Sequence, residues 1–295
     1  MTDDSSLDGT ISWRRLWDET APLVGRPEAR WLCEEASGAF GDEFLAVVDA
    51  PVTQRSIAHL DAMLARLHGG EPLQYVLGHW SFRRLDLLVD RRVLIPRPET
   101  ELVAEVAIGI ARESIAGGAD TPIVVADLGT GSGAIGLSLA FELQRGSAEV
   151  WLTDLSPEAL DVARANAAGL GVAGAGVRFG LGAWFEALPA TLKGALALIV
   201  SNPPYIAQDD PGVAADVRRW EPHQALFAGD AGLADVRALA EGAASWLAPG
   251  GWLVVEIGAT QATAATELLS GAGLSEVEIR RDLSGRDRIA LARKN

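Results

Sequence analysis

Asn202-Pro203-Pro204-Tyr205 closes the apolar run Ala195–Val200 and sets an amide, two ring-locked residues and a phenol side by side. Consecutive prolines cannot continue a ladder, so the run is expected to be a strand that stops here, followed by a rigid loop. Ligands bind at such strand ends in open α/β sheets. An Asn beside an aromatic ring suits a planar group with an exocyclic NH2, because the amide oxygen accepts and the ring covers a face. On its own, the tetrapeptide reads equally well as a proline-terminated strand with a buried Tyr.

A second constellation lies upstream. Asp127-Leu128-Gly129-Thr130-Gly131-Ser132-Gly133 follows an apolar strand and opens a helix. Glycines there allow tight turning and close approach of backbone to ligand, and the helix start offers free N–H groups to a negative charge. Asp154 ends the next apolar run, where an acid can bind both ribose hydroxyls. Gly131, Gly133 and Gly136, with Asp154 about 20 residues on, also satisfy a dinucleotide fingerprint. Spacing alone therefore keeps a dehydrogenase open. Two features tilt away from it: Asp127, placed to hold loop amides or meet a cation, and the Asn-Pro-Pro-Tyr loop after a later strand.

The elements that position these residues show in the periodicity. Residues 7–79 carry helical spacing, with Trp13, Leu16 and Trp17 on one face and Ile57, Leu60, Leu64 and Leu67 on another, so a small bundle of four or five helices is expected. Leu85, Leu87 and Val89 alternate with neighbours of period two, which predicts a hairpin over residues 80–95. A helix follows from Glu99 toward Ser114. Apolar strands are then expected at 122–127, 148–153, 176–180, 195–200, 251–257, 275–280 and 287–292. Helices fit at 133–144, 156–169, 231–247 and 260–271. This alternation predicts an α/β fold with a doubly wound, mostly parallel sheet ending in an antiparallel pair. The expected domains are a helical bundle over 1–79, a hairpin linker over 80–96 and an α/β domain over 97–295.

Composition narrows the class. The chain has 295 residues, 48% of them hydrophobic, and a formal charge of −15, which argues against tracking a phosphate backbone. Cys33 is the only cysteine, so no internal disulfide forms, as suits a reducing compartment. The acidic N-terminus lacks signal-peptide character, and no apolar run has the roughly 18 residues of a membrane span. A soluble, cytoplasmic protein is expected. The histidines at 59, 68, 79 and 223 have no ligand spacing with cysteines or carboxylates, so no metal site is expected.

Together the glycine loop, Asp154 and Asn202–Tyr205 resemble class I S-adenosylmethionine-dependent methyltransferases acting on an amide or amino nitrogen. Gly70–Gly78, Val93–Glu101, Asp127–Gly133 and Asn202–Ile206 are similar, in order, to motifs of the peptide chain release factor N5-glutamine methyltransferase (PrmC/HemK) family. So are Glu221-Pro222, Pro249–Gly251 with Glu256–Gly258, and Gly285–Arg288. The first 60 residues match in helical character only. The resemblance implies methyl transfer from S-adenosyl-L-methionine to the glutamine of a Gly-Gly-Gln loop in release factors, leaving S-adenosyl-L-homocysteine. It implies that Gly129, Thr130, Gly131, Ser132 and Gly133 line the methionine part of the donor. Asp154 would take the ribose hydroxyls, Trp184 flank the adenine, and Asn202 border the donor as well. Asn202, Pro203, Pro204 and Tyr205 would hold the glutamine, with Asn202, Pro203 and Tyr205 serving catalysis. The partner is then a release factor, with no nucleic acid or membrane bound and the chain acting as a monomer.

Other readings share part of this pattern. A ribosomal-protein glutamine methyltransferase would use the same residues. An adenine-N6 methyltransferase would need a basic groove and a base-reading domain, and a non-catalytic adaptor would not need the intact site set. Arg83, Arg84, Arg91, Arg92 and Arg97 concentrate charge around the hairpin. They would either dock an acidic partner or simply guard an exposed hairpin against edge pairing. Glu101 is expected to cap the start of its helix.

Overall fold

The computed structural model describes residues 11–118 and 122–295 and divides into two compact units, Met1–Gly78 and His79–Asn295. In the first unit α1 (Trp13–Val24) begins where the Ser12 hydroxyl accepts from the Arg15 N–H. Gly25, at φ 100°, turns the chain straight into α2 (Arg26–Ser37). Helices α3 (Asp42–Val47), α4 (Gln54–His68, capped by Thr53) and α5 (Leu73–Leu77) complete the unit. Leu32, Cys33, Phe44, Leu60 and Met63 are its buried centre, and Trp13 and Trp17 each meet the Phe44 ring edge-on at 6.2 Å. Each large side chain so buried contributes about 1.5–3 kcal/mol. Arg66 joins α4 to α5 by bonding Glu71 and the carbonyls of Tyr75 and Val76.

The second unit opens with a hairpin, β1 (His79–Phe82) and β2 (Leu85–Leu88). It is shorter than its periodicity suggests, and its inward residues Phe82, Leu85 and Leu87 join the core beneath α6 (Pro98–Ala116). Next come β3 (Ile123–Leu128), α7 (Ala134–Glu142), β4 (Ala148–Asp154), α8 (Pro157–Gly169), β5 (Arg178–Leu181) and β6 (Leu196–Ser201). Beyond the Asn-Pro-Pro-Tyr loop, β7 (Ile206–Ala207) pairs in parallel with β8 (Phe227–Ala228), and α9 (Ala215–Trp220) and α10 (His223–Leu226) lie between them in sequence. The chain finishes with α11 (Ala234–Trp246), β9 (Leu247–Glu256), α12 (Ala262–Gly271), β10 (Ser275–Arg281) and β11 (Asp287–Arg293).

Seven strands form one sheet in the order β10-β11-β9-β6-β3-β4-β5, parallel from β9 to β5 and antiparallel at β10 and β11. The central strands are apolar on both faces because helices cover both. Val103, Leu137 and Ala163 pack on one side, and Val236, Leu239 and Leu269 on the other. Two boundaries depart from the sequence expectation for local reasons. β9 starts at Leu247 because Pro249 and Gly250 bulge out of the ladder, whose register jumps from Leu196↔Leu247 to Leu198↔Trp252. α11 starts only at Ala234 because Asp230 and Ala231 adopt positive φ. Among the described residues, no helix is long and apolar enough to cross a membrane.

Candidate active site

The carboxyl ends of β3, β4 and β6 open onto a cavity of about 610 Å³. Gly129, Thr130, Gly131, Ser132, Asp154, Trp184, Asn202 and Pro204 are on its wall. Gly133 is not. It stands at φ 89° before α7, and a Cβ there would meet Leu137 Cδ1 at 2.7 Å, so it shapes the turn into the helix.

Lacking a side chain, Gly133 cannot cap α7. Asp127 does so from β3: its Oδ2 accepts from the Gly136 N–H at 2.8 Å and from the Thr130 hydroxyl at 2.6 Å. Its Oδ1 is buried with no partner among the described residues, and burial pushes the carboxyl up to about 6. A buried, orphaned carboxylate oxygen on the cavity wall fits a cationic group there. Asp154 accepts from the Gly131 N–H through Oδ2 and from the Ser156 N–H through Oδ1, each at 2.9 Å. Each oxygen keeps a lone pair for a hydroxyl. Burial raises this carboxyl too, against the backbone bonds from Ser156, Gly131 and Leu155.

Trp184 lies against Gly129, where an added Cβ would come within 3.3 Å of its ring, and its indole bonds Asp235, which also lines the cavity. Phe185 beside it stacks on Trp246 at 5.7 Å.

A second cavity of about 470 Å³ is lined by Tyr205, Arg97, Arg286 and Arg288 among others, and Leu94, Asn202 and Ala225 face both cavities. Tyr205 is on the second wall only. Pro203 is buried and on neither wall, although no described donor bonds its carbonyl. Asn202 Nδ2 donates to Thr100 Oγ1 at 3.1 Å, Thr100 donates to Glu256 Oε2 at 2.7 Å, and the Tyr205 hydroxyl donates to Glu256 Oε1 at 3.2 Å. Gln261 fixes the same loop, its Nε2 donating to the Tyr205 and Gly232 carbonyls while its Oε1 accepts from the Gly258 N–H. Thr100 and Glu256 carry no role in the sequence-based reading. The available signal was an acid ending an apolar strand, which Glu256 shares with Asp154.

The arginines around the hairpin each have a partner within the unit, while Arg84, Arg91 and Arg92 remain exposed. Arg83 pairs with Glu142 at 2.7 Å and Glu105 at 2.6 Å, and Arg92 pairs with Asp90 at 2.6 Å. Arg97 meets the buried Glu221 at 2.5 Å, while Arg84 and Arg91 lie over the rings of Phe141 and Trp220. Glu101 turns to the hairpin, accepting from the Arg83 N–H at 3.0 Å, instead of capping its own helix.

Residues 25–78 match the family described as PrmC N-terminal domain, and residues 119–218 match the Methyltransferase small domain. The chain is 44% identical over 269 residues to the release factor glutamine methyltransferase of Bordetella pertussis strain Tohama I, covering 91% of this chain and 95% of that protein. It is 36% identical over 268 residues to the release factor glutamine methyltransferase of Escherichia coli strain K12, covering 91% and 92%. A solved methyltransferase from Pyrococcus furiosus matches the fold with a TM-score of 0.51 at 17% identity, covering 80% of this chain and 99% of that one. With such identity along nine-tenths of its length, the chain belongs to the release factor glutamine methyltransferase family.

Proposed function

We propose that this protein transfers a methyl group from S-adenosyl-L-methionine to the side-chain N5 of the glutamine in the Gly-Gly-Gln motif of peptide chain release factors. The observation that carries this reading is Asn202, whose Nδ2 is occupied by Thr100 and whose Oδ1 has no partner among the described residues, standing where the two cavities meet. The larger cavity suits the donor. Gly129–Ser132 allow close backbone approach, Asp154 offers lone pairs to ribose hydroxyls, Trp184 offers a ring to the adenine, and Asp127 Oδ1 a charge to a cationic group. The donor supplies a methyl group on a cationic sulfur and leaves as S-adenosyl-L-homocysteine.

A carboxamide nitrogen is a poor nucleophile because its lone pair is delocalised into the carbonyl. Asn202 Oδ1 and the Pro203 carbonyl accept from the glutamine NH2, fixing the nitrogen and favouring positive charge as it develops there. The prolines hold these acceptors in place through their fixed φ. Tyr205, on the wall of the second cavity, excludes water from that end of the site. Alignment of the reacting groups then supplies much of the rate, an effect worth roughly 7–11 kcal/mol in favourable cases. The nitrogen sheds its proton to solvent once its lone pair is committed to the new bond, so no dedicated base is required. In this reading the enzyme acts as a cytoplasmic monomer on a protein partner and binds neither nucleic acid nor membrane.

Incubation with labelled donor and either a release factor or adenine-containing DNA tests the assignment. One methyl group on a single Gln-containing peptide is the expected result. Label on the DNA would instead assign the clamp to a nucleobase.

A further inference from the structure

We propose that Glu256, acting through Thr100, sets which end of the Asn202 carboxamide faces the acceptor, and so serves as a positioning residue for the transfer; this rests on the functional reading above. Glu256 has no exposed surface and lines neither cavity, so it acts through its neighbours. The contacts are directional. An ionised carboxylate only accepts, so Glu256 takes the single Thr100 hydroxyl proton through Oε2 and the Tyr205 proton through Oε1. Thr100 Oγ1 has then nothing to donate and can only accept from Asn202. Asn202 must therefore turn its NH2 toward Thr100, and its oxygen is the end left for the acceptor.

A proton on Glu256 Oε2 reverses this sense. Glu256 then donates to Thr100, Thr100 donates to the Asn202 oxygen, and the Asn202 NH2 turns outward against the NH2 of the glutamine. The charged and titratable groups facing Glu256 are Glu99 from α6, Arg288 from β11 and Tyr205 from the loop after β6. Burial pushes the Glu256 carboxyl up most strongly, the Thr100 bond opposes this, Glu99 adds to it, and Arg288 and the Tyr205 bond oppose it, to leave it at about 7. Ionisation, and with it the productive sense of the chain, is therefore completed as pH rises through that value.

The test is the side-chain NH2 resonance pair of Asn202 in the full-length, ligand-free protein, followed by NMR across the neutral range. In wild type the pair shifts along a single titration with a midpoint near 7. Glu256→Gln and Thr100→Val each flatten it, while Thr100→Ser, which keeps the hydroxyl, restores it. Thr100→Val keeps the Glu256 carboxyl, which loses the Thr100 bond and so titrates higher than in wild type, and it decides the matter even where Glu256→Gln fails to fold. With a Gly-Gly-Gln peptide as substrate, kcat in wild type falls up to tenfold per pH unit below the midpoint, as expected when one ionised group is required. In Glu256→Gln that acid limb is absent and kcat is at least about tenfold lower above the midpoint, with donor affinity unchanged. An Asn202 resonance that titrates in Glu256→Gln as in wild type, or an acid limb that survives Thr100→Val, overturns the proposal. Wild-type protein that shows the Asn202 titration yet methylates no glutamine peptide removes the functional reading while leaving the relay in place, so the two failures are distinguishable.

Discussion

Asp127 Oδ2 takes the Gly136 N–H at 2.8 Å, so a strand residue caps the helix that its own glycine loop introduces. The other oxygen of this cavity-lining residue is buried with no partner among the described residues. A cationic ligand favours the ionised carboxylate, and in the free protein this group sits near 6. Donor affinity is therefore expected to rise with pH through about 6, to level off above it, and to release a proton on binding near that pH. Asp127→Asn flattens the dependence and weakens donor binding by about 10- to 100-fold, the usual worth of a hydrogen bond to a charged group. Calorimetry in buffers of differing ionisation enthalpy reads both effects.

Gly136→Ala tests the same contact from the helix side. The new Cβ would lie 2.7 Å from Leu152 Cδ1 and 3.0 Å from Asp127 Oδ2, so either the core or the cap must move. A stability loss of about 1–3 kcal/mol is expected, as for an overpacked core, together with weaker donor binding. Urea unfolding and a donor titration on the same preparation check it.

Asn202→Ala removes the oxygen proposed to face the acceptor and leaves Thr100 bonded to Glu256. The loss is expected in kcat, by more than about tenfold, with the donor Kd nearly unchanged, because removing one group that steadies developing charge costs about 10²–10³ at the upper end. Steady-state kinetics on a release factor, beside donor binding measured separately, give the split. Wild-type kcat in this variant would remove Asn202 from the acceptor role.

Glu221 is buried, accepting from the Ile95 N–H at 3.1 Å and from Arg97 at 2.5 Å. Arg97→Ala leaves that buried carboxylate with the backbone N–H alone. A destabilisation of about 1.5–3 kcal/mol is expected. It is read as a lower urea midpoint with an unchanged slope. Glu221→Gln, which keeps an acceptor for Ile95, is expected to lose less.

Much of this architecture was legible because strand and helix periods are local properties. The apolar runs leading to Asp127 and Asp154 and the proline stop at Pro203 placed the strand ends that carry the cavity. Thr100 and Glu256 escaped because their pairing exists only in the fold, between the start of α6 and the end of β9: the two residues are 156 apart in sequence and share one hydrogen bond. Arg83 was misleading for the same reason. Its neighbours in sequence suggest an exposed charge cluster, while its partner Glu142 comes from the end of a helix 59 residues on. The bulge at Pro249–Gly250 was equally hidden, since a proline and glycines inside an apolar stretch mark a break without saying that the ladder resumes on both sides.

The order of the sheet has a bearing on descent. Asp127 and the glycine loop hang from β3, Asp154 from β4, and the Asn-Pro-Pro-Tyr loop from β6, which is the neighbour of β3 on its other side. Adjacent strands are held about 4.8 Å apart by backbone bonding that no side chain controls. The gap between the two half-sites is thus an inherited constant of the scaffold. On the proposed reading, replacing the residues that follow β6 changes which nitrogen is presented while Asp127, the glycine loop and Asp154 stay where β3 and β4 hold them, so the scaffold can take a new acceptor by altering one half alone.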